Sequence, residues 1–166
     1  STRAAQSDDP APLALRGSAP VTSYAPSSLP RASEDLLSRV EDLYAGDAQL
    51  HGLWSAALGA RGMAGDTGAA GDRQAPVALG RTASRFLARA DGPRIAMIET
   101  SGWDTHSGQN ARLSARLKGL DALLASLRDG LGTAWAQTVI VVATEFGRTV
   151  AANGTGGTDH GTGSVA

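Results

Sequence analysis

The sequence predicts an α/β fold with a parallel sheet, in which a helical crossover joins two neighbouring strands. Short apolar runs at 95–99 and 138–143 have the composition of strands that are buried on both faces. The residues between them, 109–130, show leucines at helical spacing: Leu113, Leu117, Leu120, Leu124 and Leu127, followed by Leu131. A strand, a long helix and a second strand form a βαβ unit, which joins parallel strands. We expect this unit and its loops to span residues 94–166.

The chain before this unit is predicted to be an extended lead-in followed by helices. Residues 1–32 contain most of the prolines, together with many serines and alanines, and this composition disfavours regular structure. Residues 33–91 carry apolar side chains at helical spacing. We therefore divide the chain into a Pro-rich lead-in at 1–32 and a partial α/β domain at 33–166, whose first portion is helical.

Three helices are expected in that first portion, at about 33–45, 47–61 and 75–90. Ser33 precedes Glu34 and Asp35, and a hydroxyl followed by acidic residues is typical of a helix start. The glycines from Gly62 to Gly71 lie between the second and third helices and predict a mobile loop there.

Composition limits the possible partners of the chain. With 166 residues, 42% of them hydrophobic, the chain can form one domain with a core. Fifteen basic and sixteen acidic residues give a net charge of -1, which provides no general attraction to nucleic acid. No apolar run approaches the roughly 20 residues of a membrane-spanning helix. We therefore expect no nucleic-acid partner and no transmembrane segment. Because cysteine is absent, a metal site must use carboxylates, imidazoles and hydroxyls.

Polar side chains follow both predicted strands at their carboxyl ends. In open parallel sheets these ends border one crevice, where ligands bind. A third polar group follows the Gly-rich loop at 153–157, whose glycines allow the backbone to fold back over the strand ends. The candidate site residues are Asp104 and His106 in the first group, Glu145 and Arg148 in the second, and Asp159 and His160 in the third.

These residue types suit a divalent metal and ester hydrolysis. Aspartate, glutamate and histidine supply the oxygen and nitrogen donors that a zinc-type ion accepts. A bound ion can lower the pKa of water and polarise an ester oxygen. Arg148 adds a planar fork that suits phosphate or sulfate. The pattern predicts metal-dependent hydrolysis of a phosphate or sulfate ester, carried by a small molecule or a polymer.

Each group also has a purely structural interpretation. Asp104 could cap the following helix while His106 lies at the surface. Glu145 and Arg148 could form an ion pair with each other. The two residues after the Gly-rich loop could belong to a turn. The shared position of the three groups at the strand ends favours a site.

Three motifs occur in order around the leucine-rich helix. They are Gly102-Trp103-Asp104-Thr105-His106, then Thr144-Glu145-Phe146-Gly147-Arg148-Thr149, then Asn153-Gly154-Thr155-Gly156-Gly157-Thr158-Asp159-His160-Gly161. In this order they resemble domain of unknown function family 1501, most strongly from Arg94 to Ala166. The resemblance implies a bacterial protein that is exported, often behind a twin-arginine signal, to the periplasm. It also implies a fold of the alkaline phosphatase and sulfatase superfamily.

The superfamily resemblance implies particular ligands. Asp104, His106 and His160 match the set that holds one metal. Glu145 takes the place of the aspartate of a second pair and Phe146 the place of its histidine, so a second metal is held differently or is absent. The resemblance also implies that the nucleophile lies in an N-terminal portion outside this chain, which begins on Ser1 and which we expect to be an interior piece of a longer protein.

The resulting hypothesis is a metal-dependent hydrolase-like protein. We expect a divalent metal, zinc in the first instance, on Asp104, His106, His160 and Glu145, with Glu145 as ligand or base, Arg148 holding the oxyanion and Asp159 orienting His160. The alternative is an exported binding or cell-surface protein that uses the same scaffold without turnover.

Overall fold

Four α-helices and a small β-hairpin form the described part of the chain. A computed structural model describes residues 15–19, 21, 32–64 and 75–165. The elements are α1 (Glu34–Tyr44), α2 (Ala48–Ala64), α3 (Pro76–Leu87), α4 (Gln109–Leu131), a 3₁₀ helix (Gly132–Gln137), β1 (Gly147–Ala152) and β2 (Thr158–Gly161). The predicted mobile loop falls largely at 65–74, and the predicted lead-in largely before residue 32, outside the described residues.

The three predicted N-terminal helices are confirmed, and their first turns show why they begin where they do. Ser33 Oγ accepts a hydrogen bond from the amide of Leu36 at 3.2 Å, which caps α1. Asp47 Oδ1 accepts from the amides at positions 49 and 50 and caps α2. Helix α3 starts with Pro76, whose fixed φ suits a first helical turn.

Helices α3 and α4 form the main packed interface of the described residues. Small residues on α3 allow the two helix backbones to approach closely. A Cβ on Gly80 would overlap the backbone of α4 at Leu123, so the two helices touch through this glycine. Leu123, Leu127 and Leu131 are buried, with exposed fractions of 4 to 6%. The predicted α4 is confirmed, but its buried stripe is different. Leu117 is 51% exposed, because the face that meets α3 runs through 123, 127 and 131.

The parallel sheet predicted from the sequence is absent from the part of the chain that the structure describes. Residues 95–100 and 138–144 belong to no helix and no strand. Side chains expected in the core are exposed, with Ile95 at 75%, Val139 at 87% and Val141 at 78%. A strand needs a hydrogen-bonded neighbour as well as β-branched residues, and no described backbone hydrogen bond joins the two runs. The prediction of a parallel βαβ fold of alkaline-phosphatase type is therefore wrong.

The observed sheet is instead an antiparallel hairpin in the region predicted to form site loops. Strands β1 and β2 pair with Arg148 opposite His160 and Gly147 opposite Gly161. A Cβ on Gly161 would lie 2.8 to 2.9 Å from the β1 backbone, so the close pairing requires a residue without a side chain. The hairpin brings Arg148 and His160 to the same face, because directly opposed residues project together.

Among the described helices, none combines the length and apolar content that crossing a bilayer demands.

Candidate functional site

The hairpin lies against the segment that leads into α4, and this contact creates the candidate site. Asp104 and His106 lie on that segment, and His160 lies on β2. Between the first two, Thr105 is buried to 2% exposure, whereas the side chains of Asp104 and His106 are 56% and 44% exposed. One ligand atom from each of Asp104, His106 and His160 falls within 4.8 Å of the other two.

Asp104 lies at the centre of this group. Its Oδ1 is 2.9 Å from Nε2 of His106 and 2.9 Å from Nε2 of His160. The side chains of the three residues are about half exposed, at 56%, 44% and 51% respectively. The group is therefore open to water on one side.

Asp159 contacts the other nitrogen of His106. The distance from His106 Nδ1 to Asp159 Oδ1 is 2.9 Å, and Asn153 Nδ2 donates to the same oxygen at 3.0 Å. A neutral imidazole that donates from Nδ1 presents a lone pair at Nε2. When Nδ1–H is donated to Asp159, the Nε2 lone pair of His106 faces Asp104 and can bind a cation. Asp159 was predicted to orient His160, but the hairpin directs its carboxylate to His106.

Arg148 joins the hairpin to the Asp104 segment. Its guanidinium donates to the carbonyls of Thr158 at 2.7 Å and Trp103 at 2.8 Å, and to Asp104 Oδ1 at 3.2 Å. Only 20% of the side chain is exposed. Three of its five N–H groups are thus engaged within the protein, and its predicted contact with an oxyanion stays a prediction.

Phe146 stacks on His160. The ring centroids are 4.3 Å apart and the planes are inclined by 12°, while His160 is itself 5.0 Å from the ring of His106. The Arg148 guanidinium carbon lies 4.9 Å from the centroid of the Phe146 ring. Phe146, which cannot bind a metal, therefore limits the orientations available to the His160 ring.

The two carboxylates of the site have lowered pKa values. The hydrogen bond with His160 is the main cause that lowers the pKa of Asp104, against partial desolvation, with further help from His106 and Arg148. For Asp159, the hydrogen bonds from Asn153 and His106 lower the pKa. Both side chains therefore carry negative charge at neutral pH.

Sequence comparison places the chain in a family. Residues 29–166 match the family described as protein of unknown function, DUF1501. The chain belongs to this family. No similar curated protein and no similar solved structure was found. This match confirms the resemblance to family 1501 and assigns no activity.

Glu145 is the predicted site residue of this DUF1501 chain that the structure does not bring into the group. It is exposed, and no hydrogen bond or ion pair of its side chain occurs among the described residues. It immediately precedes the residue whose ring stacks on His160, but only Asp104, His106 and His160 converge. Its role as ligand or base stays a prediction.

Asn153 is the functional residue that the sequence analysis missed. Its Oδ1 accepts from the amides of Thr155 and Gly157, and its Nδ2 donates to the carbonyl of His106 at 2.9 Å. It thereby folds the loop between the strands and fastens it to the His106 segment. The Asn153-Gly154 dipeptide between two short runs is a hairpin signal, which could have revealed both the loop and its strands.

Proposed function

We propose that this DUF1501 chain binds one zinc-type divalent ion through Asp104, His106 and His160 and uses it to hydrolyse a phosphate or sulfate ester. The observation that carries the proposal is the convergence of the three ligand atoms within 4.8 Å. Two imidazole nitrogens and one carboxylate oxygen form the ligand set of many catalytic zinc sites, which leave a fourth position for water. The half-exposed side chains are compatible with such an open position.

The tautomer of His106 supports a cation at this point. With Nδ1–H donated to Asp159, the lone pairs of His106 Nε2 and Asp104 Oδ1 face each other at 2.9 Å. Such a contact is repulsive unless a cation, either a second ring proton or a metal ion, lies between the two atoms. Tetrahedral ligands with bonds of about 2.0 to 2.1 Å are roughly 3.4 Å apart. Small side-chain movements of about half an ångström would open the group to that size.

A single ion fits the site better than a pair. Phe146 fills the place next to His160 with a ring that offers no donor atom. Glu145 does not converge with the other three ligand residues. We therefore assign one ion and no second metal.

Each residue around this ion would have a separate role. A bound zinc-type ion would lower the pKa of a water molecule at its open position and polarise an ester oxygen. Asp159 would hold the His106 tautomer, and Arg148 would offset the charge of Asp104 at 3.2 Å. Glu145, whose side chain is exposed and which directly precedes Phe146, would be the base in this proposal. Export to the periplasm belongs to the same proposal, whereas a parallel alkaline-phosphatase-like sheet does not.

Metal binding without turnover is a second candidate. Glu145 makes no contact with the three-residue group among the described residues, and Arg148 is engaged with the protein. A site with these features could bind a metal or a metal-held ligand without performing hydrolysis. The two candidates differ in turnover and share the metal.

Metal analysis after dialysis against zinc tests the proposal. We expect about one zinc per chain in the unaltered protein and loss of most of it in His106→Ala and His160→Ala. His51→Ala is the matched control, because His51 is the third histidine and lies exposed on α2. Equal zinc content in all four proteins would refute the site. Hydrolysis of an aryl phosphate or an aryl sulfate by the zinc-loaded protein, abolished in His106→Ala, separates hydrolase from binding protein.

A further inference from the structure

The guanidinium of Arg116, on α4, lies against the backbone just before the candidate site. A Cβ on Gly102 would be 2.7 Å from Cζ of Arg116 and 2.8 Å from its Nη2. The absence of a side chain at Gly102 is therefore what allows the guanidinium to approach, and the φ of 84° at this residue also favours glycine. The two steps from Gly102 to Asp104 span at most about 7.6 Å. Arg116 thus lies against the segment that carries Asp104, two residues before it in the sequence.

Arg116 has no anionic partner in the described part of the chain. Its side chain is exposed and makes no described hydrogen bond or ion pair. Arg148, in contrast, directs three N–H groups to Thr158, Trp103 and Asp104. Of these two cations, Arg116 is the one that makes no described hydrogen bond within the protein, so its donors are available to a ligand.

The charges at the site favour an anion at this position. Asp104 and Asp159 carry negative charge at neutral pH, and Arg148 offsets one of them. A divalent ion on the three proposed ligands would leave the site with a net positive charge, which Arg116 would increase. A planar guanidinium binds the oxygens of a tetrahedral anion with two parallel hydrogen bonds.

We infer that Arg116 binds the oxyanion of the ligand at this site, the role that the sequence analysis gave to Arg148. The inference rests on the proposed function, since it places the anion between the metal and α4. It assigns Arg148 to holding the hairpin and the Asp104 segment together. Arg116 is then a binding residue that sets the preference of the site for anionic over uncharged ligands.

Binding of inorganic phosphate to the zinc-loaded protein tests this inference. Calorimetric titration of Arg116→Gln should show a Kd for phosphate raised about tenfold, as expected for loss of a charge-assisted hydrogen-bonded contact. Zinc content should be unchanged. Lys118→Gln is the matched control. It removes the same charge from the same helix, but residues two apart on a helix do not share a face, so its phosphate Kd should equal that of the unaltered protein. Arg116→Lys should fall between the two, because it keeps the charge and loses the fork.

The outcomes separate this inference from the proposed function. If the zinc-loaded Arg116→Gln and Lys118→Gln variants bind phosphate equally well, the proposed role of Arg116 is wrong and the metal site is unaffected. Zinc-loaded unaltered protein that does not bind phosphate also overturns it. A chain that takes up no zinc overturns the proposed function and this inference with it.

Discussion

His106 has a carboxylate at each of its ring nitrogens, and this arrangement depends on two separate segments of the chain. Asp104 comes from the same segment and Asp159 from β2, both at 2.9 Å. Carboxylates that accept from the distal nitrogen of a metal-binding histidine fix its tautomer and raise its basicity.

Asp159→Asn should therefore weaken zinc binding without removing a ligand. The amide keeps an acceptor for Nδ1–H but loses the charge, so we expect the Kd for zinc to rise about tenfold, at the lower end of the effect for such partners. Competition with a chromophoric chelator measures the change. Asp129→Asn, which alters an exposed acid of α4 beside Arg128, should leave the Kd unchanged. An unchanged Kd in Asp159→Asn would mean that its contact with His106 does not support a metal ligand.

Phe146 provides a second test at the residue scale, because its ring is stacked nearly parallel on that of His160, with the centroids 4.3 Å apart. Phe146→Leu keeps an apolar side chain and removes the stack, so the His160 ring gains freedom. We expect weaker cobalt binding and a broadened visible absorption spectrum of the cobalt-loaded protein. Phe146→Tyr retains the stacked ring and should restore the spectrum. A spectrum identical in all three proteins would show that Phe146 does not position His160.

At the scale of elements, the loop between β1 and β2 packs closely against the His106 segment. This contact is possible because Gly157 has no side chain. A Cβ there would overlap the carbonyl of His106 and contact that of Thr105. The same loop satisfies free amides at the start of α4, since Gln109 donates to the carbonyl of Gly156 at 3.0 Å.

Gly157→Ala should therefore destabilise the hairpin and weaken zinc binding together. Overpacking of this kind typically costs about 1 to 3 kcal/mol, which urea denaturation would detect as a lower midpoint. Gly154→Ala is the matched control in the same loop, since nothing lies within 4 Å of a Cβ at that position. If the two variants were equally stable, the loop would not contact His106 as described.

The helices could be predicted from the sequence, whereas the strands could not. Helices such as α1 and α4 could be predicted because their hydrogen bonds are local. The Ser33 cap of α1 and the leucine spacing of α4 are visible in the sequence. The runs at 95–99 and 138–143 have strand composition, but pairing depends on neighbours that are distant in sequence. The hairpin was missed because its strands do not have the composition of buried strands. Most residues of β1 and β2 are glycine, alanine or polar residues.

The same distinction applies to the site. Asp104, His106 and His160 could be selected from the sequence because few residue types bind metals and these three lie in short motifs. The partner of Asp159, the stack of Phe146 and the anchoring of Arg148 could not. They depend on a register that sets Arg148 opposite His160, and a shift of one residue between the strands would put these two side chains on opposite faces.

For the molecule as a whole, the contact between α3 and α4 is the principal core, and its closeness depends on Gly80. A Cβ at Gly80 would collide with the backbone of α4, whereas one at Gly59, on α2, would meet nothing within 4 Å. Gly80→Ala should lower the free energy of unfolding by about 1 to 3 kcal/mol. Gly59→Ala should raise it by about 0.5 to 1 kcal/mol through helix propensity. Urea denaturation of both variants checks the opposite signs, and a shared sign would contradict the interface.

Local stability should differ between the regions of the described molecule, and hydrogen exchange of the backbone amides can measure the difference. Helix α4 is packed on α3 through buried Leu127 at 5% exposure, while Val139 and Val141 are 87% and 78% exposed in an unpaired run. Amides at 139–143 should therefore exchange faster than those around Leu127, by a factor of about 100 or more. Strong protection of the run would show that it is a hydrogen-bonded strand, contrary to the architecture described.

Substitutions on the same surfaces give an independent measurement of this distribution. Leu127→Ala should cost about 2 to 5 kcal/mol, because it empties part of the α3–α4 core. Val139→Thr and Val141→Thr should each change the free energy of unfolding by less than about 0.5 kcal/mol, as expected for exposed positions. A cost at Val141 comparable with that at Leu127 would place the run in a core, and the apolar residues there would then have to be covered in the folded protein.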